Sequence, residues 1–183
     1  MAKQPTLESD RLLLRPFRTT DAERVQLLAG DRAVADTALN IPHPFEDGMA
    51  EKWISNHRDW FERGEQVVFA VTLKQPGDGR GLLVGAIGLR INREDQRAEL
   101  GYWIGRPYWG QGYCTEAVRA LMDFGFRDLD LNRIEANHFS RNPASGRVMQ
   151  KAGMTHEGRL RQYAKKWGLF EDVELYSILR EST

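Results

Sequence analysis

Gly105-Arg106-Pro107-Tyr108-Trp109-Gly110-Gln111-Gly112-Tyr113-Cys114-Thr115-Glu116-Ala117 decides how this chain is read. An apolar run, residues 97–104, precedes it as a strand. A helical pattern, residues 115–128, follows, with Val118, Leu121, Met122 and Gly125 on one face. The segment is therefore a strand-to-helix turn whose glycines sit at the helix start. There the backbone presents unpaired N–H groups and the positive end of the helix dipole. Glycine lets the backbone turn back and approach an anion closely, a construction that suits a pyrophosphate. Each amide given a charged acceptor contributes roughly 1.5–3 kcal/mol, so three or four hold a diphosphate. No Gly-Lys-Ser/Thr follows, so this is not a Walker A loop. Thr115 takes the third position of the Gly-x-Gly-x-x-Gly dinucleotide fingerprint, which excludes that motif too. By spacing alone the segment reads equally as a glycine-rich turn without a ligand.

Outward from this turn the pattern is α/β. Upstream, residues 11–15 form a short strand ended by Pro16. A helix follows, with Thr20 to Glu23 at capping-box spacing and Gly30 at its C-cap. A second helix is expected from about Gly48 to Arg63, ended by Gly64. Trp53, Ile54, His57, Trp60 and Phe61 share its face, more as core than as substrate contacts. The prolines of Ile41-Pro42-His43-Pro44-Phe45 leave a loop, a candidate wall for an acceptor cleft. Residues 66–74 and 81–91 read as strands joined by the turn Gln75-Pro76-Gly77-Asp78-Gly79. With residues 97–104 they make an antiparallel meander. Downstream, residues 133–140 form a strand, and Asn142-Pro143 opens a helix as N-cap and N1. Residues 155–162 and 173–179 are the last strands. The order β-α-α-β-β-β-α-β-α-β-β gives one domain with a mixed sheet and a β-α-β crossover in its second half.

Composition bounds the partners. The chain has 183 residues, of which 41% are apolar and 28% charged. Twenty-six basic and 26 acidic side chains give zero net charge, which removes any global electrostatic case for nucleic acid or an anionic membrane. The single Cys114 excludes an intrachain disulfide framework and a thiolate-rich zinc site, so no metal is expected. No apolar run approaches the ~20 residues of a membrane span. The start, Met1 to Asp10, is polar and lacks a signal-peptide core, so a cytoplasmic protein is expected.

Several motifs together resemble the GNAT superfamily of N-acetyltransferases. They are residues 99–104, residues 109–117, Asn142-Pro143-Ala144-Ser145 and Lys151-Ala152-Gly153-Met154. The opening Glu8 to Pro16 and the closing Gly168 to Val173 are similar more narrowly to the RimJ/RimL-type group, which includes acetyltransferases of ribosomal-protein N-termini. The resemblance covers nearly the whole chain. It implies a mostly antiparallel sheet of about seven strands, flanked by helices. It also implies a splayed cofactor cleft between that fold's fourth and fifth strands, here residues 97–104 and 133–140. Acetyl-CoA is the implied cofactor. Its pyrophosphate would lie on Gly110, Gln111, Gly112, Tyr113, Cys114 and Thr115, with Trp103, Ile104, Trp109, Asn137 and Asn142 along the cleft. Arg147, Lys151 and Arg106 would support the nucleotide phosphates. Asn142 has the competing role of helix N-cap. Pro107 departs from the Gln/Arg that opens the family motif and lacks a backbone donor, so the phosphate amides begin later.

The reaction implied is direct attack of a neutral amine on the thioester. It needs one proton removed from the ammonium and one given to the leaving thiolate. At neutral pH an α-amine of pKa ~8 costs about 1.4 kcal/mol to neutralise, and a lysine of ~10.4 costs about 4.6. A protein N-terminus therefore needs only a weak base and is the favoured acceptor. A small amine (amino acid, polyamine, antibiotic) is the alternative, and a non-catalytic acyl-CoA sensor is the alternative of another class. Ser145 matches the proposed acid of RimL-like enzymes. Glu99, on the strand face of Gly101 and Trp103, is the candidate base. Asn137 shares a face with Glu135, and His138 faces away as a structural group. The carboxylate proposed as base in the RimL-like tail falls at Ala164, so that mechanism does not transfer intact. Cys114 has no evident His partner and reads as a packing residue. Relatives imply a monomer or homodimer.

Overall fold

A computed structural model of the chain describes residues 3–75 and 81–180. Eight strands form one sheet in the order β1-β2-β3-β4-β5-β6-β8-β7. They are β1 (Leu7–Glu8), β2 (Leu12–Pro16), β3 (Gln66–Leu73), β4 (Leu82–Asn92), β5 (Arg97–Ile104), β6 (Arg133–Phe139), β7 (Thr155–Lys166) and β8 (Leu169–Leu179). The helices are α1 (Ala22–Ala29), α2 (Arg32–Thr37), α3 (Met49–Ser55), α4 (His57–Arg63), α5 (Tyr113–Arg127) and α6 (Pro143–Lys151). Every strand pair is antiparallel except β5–β6, which α5 joins as a parallel crossover.

Both faces of the central strands are covered, so β3 and β4 read as unbroken apolar runs rather than alternating ones. One face packs under α5 and α6, where Leu89, Leu100, Val118, Leu121, Ile134 and Met149 form the main core. Each such aliphatic side chain withdrawn from water contributes roughly 1.5–3 kcal/mol. Gly125 lets α5 lie close on the sheet: a Cβ there would stand 2.8 Å from Ile134 Cδ1 and 3.2 Å from Leu89 Cδ1. The other face carries α1 and α3, packed through Val25, Leu28, Ala50 and Ile54.

The expected mixed α/β sheet, its meander and its crossover are present, with corrections. The sheet has eight strands rather than seven, because the two-residue β1 pairs with β2. The 48–63 helix is two helices, interrupted at Asn56. Thr20 does not cap α1. Instead a 3-10 turn over Thr19–Asp21 precedes it, and the Asp21 carboxylate accepts from the Arg18 amide at 2.8 Å. α2 was not anticipated, and α5 begins two residues earlier than expected. The last two strands run on to Lys166 and from Leu169, forming one long hairpin turned at Trp167 and Gly168. The turn expected at 75–79 lies, beyond Gln75, outside the described residues. Among the described residues no helix is long and apolar enough to cross a membrane.

Candidate active site

β5 and β6 pair at only three positions, Arg97 with Arg133, Ala98 with Ile134 and Glu99 with Glu135. Beyond Glu99 the two strands part, as the family resemblance implied for this pair. The sheet thus forks, and a cavity of about 630 Å³ opens at the fork. Its lining includes Glu99, Tyr102, Trp103, Asn137 and Ser145. Glu99, Gly101 and Trp103 face the α1–α3 side, while Leu100, Tyr102 and Ile104 face α5 and α6.

The glycine turn lies at the end of β5. A 3-10 turn over Arg106–Tyr108 leads into it, with Pro107 inside that turn. Gly110 and Gly112 take φ of 75° and 81°, in the left-handed region. Gly112 is the N-cap of α5, and no side chain caps that helix. The amides of residues 110–115 find no acceptor among the described residues. Trp109 is folded back, its Nε1 donating to Ile104 O at 2.6 Å, and Gln111 Nε2 donates to Pro107 O at 3.2 Å. Cys114 packs against the core, and burial pushes its thiol up to about 12, which keeps it neutral.

The turn is held from outside. Glu116 in the first turn of α5 accepts from Ser9 Oγ at 2.7 Å, from the Arg11 amide at 2.8 Å and from Arg11 Nε at 2.7 Å. Burial opposes ionisation of Glu116, but these three donors outweigh it and lower its pKa. Arg11 Nη1 also donates to Gln111 O at 3.0 Å, and its guanidinium stacks 4.6 Å from the centre of the Tyr113 ring. The Glu8 to Pro16 motif therefore fastens the glycine turn, a role local sequence reading did not assign to it.

Two polar pairs line the fork, one on each face of β5. On the α6 side the Ser145 hydroxyl lies 2.7 Å from the Tyr102 hydroxyl, which also donates to Ser145 O at 3.3 Å. Burial pushes the Tyr102 phenol well above its ordinary pKa, so it stays a donor. On the other face Glu99 accepts from Asn137 Nδ2 at 3.1 Å and faces Arg90 Nη1 at 3.5 Å. Its side chain is 43% exposed, open to water and to ligand. Glu135, on the same face as Asn137, is occupied by Arg97 at 2.9 Å and Arg133 at 3.0 Å. His138 is buried, with its Nδ1 2.8 Å from Phe139 O; its Nε2 has no hydrogen-bond partner among the described residues, and the side chain also lines the cavity.

Asn142 stands at the N-cap of α6, yet its side chain makes no cap bond. The expectation that it caps the helix by its side chain is thus corrected. Arg147 and Lys151 are exposed on α6 and form no ion pair among the described residues. Arg106 is separate from them. It borders a shallower recess with Asp31, Arg32 and Asp36 of α2 and its N-cap.

The far wall comes from the Ala38–Phe45 region and the β7–β8 hairpin. Ile41, Pro42 and Phe45 line the cavity, as does Trp53, which also packs on the core. Lys166, only 5% exposed, donates through Nζ to Ala38 O at 2.6 Å, Leu39 O at 3.3 Å and Ile41 O at 2.7 Å. Burial lowers its pKa. Beside it Arg141, just after β6, pairs with Asp36 at 2.8 Å and Glu171 at 2.9 Å. Ala164 is buried against Phe139 and Val173, where the RimL-like tail carboxylate was expected to be missing. Sequence reading missed Tyr102, Lys166 and Arg141. Of these only Tyr102 left a signal, since strand alternation places it on the α6 side.

The family model of the acetyltransferase (GNAT) domain matches residues 11–155. The chain belongs to the GNAT acetyltransferase family. This acetyltransferase is 35% identical over 177 residues to the uncharacterized N-acetyltransferase p20 of Bacillus licheniformis, covering 96% of each chain. It is 32% identical over 159 residues to the ribosomal-protein-serine acetyltransferase of Escherichia coli, covering 86% of each. Among solved structures, RimL, a ribosomal L7/L12 alpha-N-protein acetyltransferase in complex with coenzyme A, superposes with a TM-score of 0.85. That likeness covers 96% of this GNAT chain and 98% of RimL at 21% identity, and shows the shared fold.

Proposed function

We propose that this GNAT enzyme moves the acetyl group of acetyl-CoA onto a protein or peptide N-terminal α-amine. The observation that carries the reading is the fork. Partner-free amides at residues 110–115 lie at one end of it, and two polar pairs, Tyr102–Ser145 and Glu99–Asn137, line its cavity from opposite faces of β5. The named activity of the E. coli relative supports a protein acceptor.

The amides of Gly110 to Thr115 hold the pyrophosphate, and Arg147 and Lys151 approach the nucleotide phosphates. The β5 edge beyond Glu99, with Trp103, Ile104 and Asn142, carries the pantetheine arm. Acetyl-CoA supplies the activated acyl group. Glu99, oriented by Asn137, takes the proton of the α-ammonium directly or through water. An α-amine of pKa ~8 asks little of such a base. As the new C–N bond forms and the C–S bond breaks, Ser145 Oγ gives its proton to the departing thiolate and regains one from the nitrogen of the collapsing intermediate; the Tyr102 hydroxyl backs it at 2.7 Å. Cys114, held neutral by burial, is a wall and not a nucleophile.

Isothermal titration with acetyl-CoA and a thiol-release assay on N-terminal peptides test the proposal. Binding with turnover that falls in Glu99→Gln and Ser145→Ala is the expected result. No acetyl-CoA binding at millimolar concentration defeats it. Tight binding with no transfer to any amine returns the chain to the sensor reading, which the apolar Ala164 site favours.

A further inference from the structure

The charge and lining of the cavity define which α-amine fits. This rests on the N-terminal acceptor proposed above. Of the side chains lining it, Glu99 is the one carboxylate and Arg90 the one guanidinium among the described residues, and they face each other at 3.5 Å. With the buried His138 imidazole neutral, the wall carries no net charge. It offers one carboxylate, already shared, to an incoming ammonium. A polyamine or aminoglycoside would bring further ammonium groups into a wall with no second acid to meet them, at a desolvation cost that no pairing offsets.

Uncharged polar groups line other parts of the cavity, Thr37, Asn40, Gln66, Tyr102, Asn137 and Ser145 among them, but one side of it is apolar. Val25 and Ala29 of α1, Ile41 and Phe45 of the proline loop, and Met49 and Trp53 of α3 face the same space as Glu99. This surface belongs to the cavity, because Lys166 ties the proline loop in place. A cleft with one acidic anchor beside an apolar patch selects a ligand with one amine and an apolar substituent near it.

We infer that the acceptor is a single α-amine whose own residue carries a bulky apolar side chain. Glu99 takes the ammonium, and the Ile41–Phe45–Trp53 wall takes the side chain. Small polar, acidic or basic first residues fit the amine anchor but leave the wall unmatched. Burial of a Leu- or Phe-sized group raises kcat/KM roughly ten- to a hundredfold over a charged one.

The test is initial-rate thiol release from acetyl-CoA with the full-length protein. The acceptors are peptides identical except for a first residue of Leu, Phe, Ser, Lys or Asp, together with spermidine and phenethylamine. Leu- and Phe-first peptides at least tenfold above Lys- and Asp-first ones, with spermidine lowest, support the inference. A collapse of that advantage in Phe45→Ser supports it further. Equal rates across first residues, or spermidine as the best acceptor, overturn it. Turnover of phenethylamine without any peptide keeps the apolar monoamine and removes the peptide reading. No turnover on any acceptor overturns both.

Discussion

His57 at the start of α4 is surrounded by the rings of Phe17, Trp53 and Trp60, with centroids at 5.1, 4.4 and 5.6 Å. It is 4% exposed, and neither ring nitrogen has a hydrogen-bond partner among the described residues. Burial therefore lowers its pKa from 6.5 to about 4. Between those values the unfolded chain binds the proton and the folded one does not. The stability that neutral His57 contributes is complete above about pH 6.5 and is lost as pH falls toward about 4. The 2.5-unit gap (6.5 − 4) corresponds to about 3.4 kcal/mol when fully expressed. Integrated from about pH 7.5 to about pH 5, it gives about 2 kcal/mol. The assay is urea unfolding of the parent and of His57→Leu at both pH values. The parent should lose about 2 kcal/mol more than the variant over that interval, a midpoint shift of about 1 M for a slope near 2 kcal/mol/M. An equal loss in both proteins, or a His57 imidazole that titrates near 6.5 by NMR, would refute the reasoning.

Three further outcomes are expected. Glu116→Ala removes the acceptor shared by Ser9 and Arg11, so acetyl-CoA binding by isothermal titration should weaken about five- to tenfold, against about 1–2 kcal/mol of stability. Tyr102→Phe should lower kcat roughly tenfold with the acetyl-CoA KM unchanged. Combined with Ser145→Ala it should add little, because the two hydroxyls act as one unit; additive losses would break that link. Lys166→Met strands three carbonyls, those of Ala38, Leu39 and Ile41, leading into the proline loop. Acceptor KM should rise and stability fall by about 2–4 kcal/mol, while calorimetric acetyl-CoA affinity stays constant.

Elements whose determinants are local were legible. The meander is a run of β-branched and apolar residues between turn signals, and α5 keeps one apolar stripe, so β3, β4, β5 and α5 could be placed within a few residues. β7 could not be bounded, because nearly all of it faces water and its length follows from pairing with β8. Nothing in the spacing of Trp53 to Phe61 distinguishes one helix from two, since Asn56 keeps a helical backbone at the break. In the site, Gly110 and Gly112 leave a mark in composition because their left-handed backbone favours glycine. The contacts of Arg11 with Glu116 and of Lys166 with Ile41 leave none. They join residues 105 and 125 positions apart, and no local periodicity encodes such a meeting.

The fork has a mechanical consequence. Three backbone pairs join β1–β5 to β6–β8 at its closed end. Across its open end, Lys166 grips residues 38–41, and Arg141 bridges Asp36 to Glu171. Two plates joined along one edge form a hinge; joined along two, they form a frame. The aperture between the plates is thus a set gauge. Ligands of the wrong girth meet walls that do not swing aside, and selectivity is adjusted by what is mounted on the frame rather than by how far it opens.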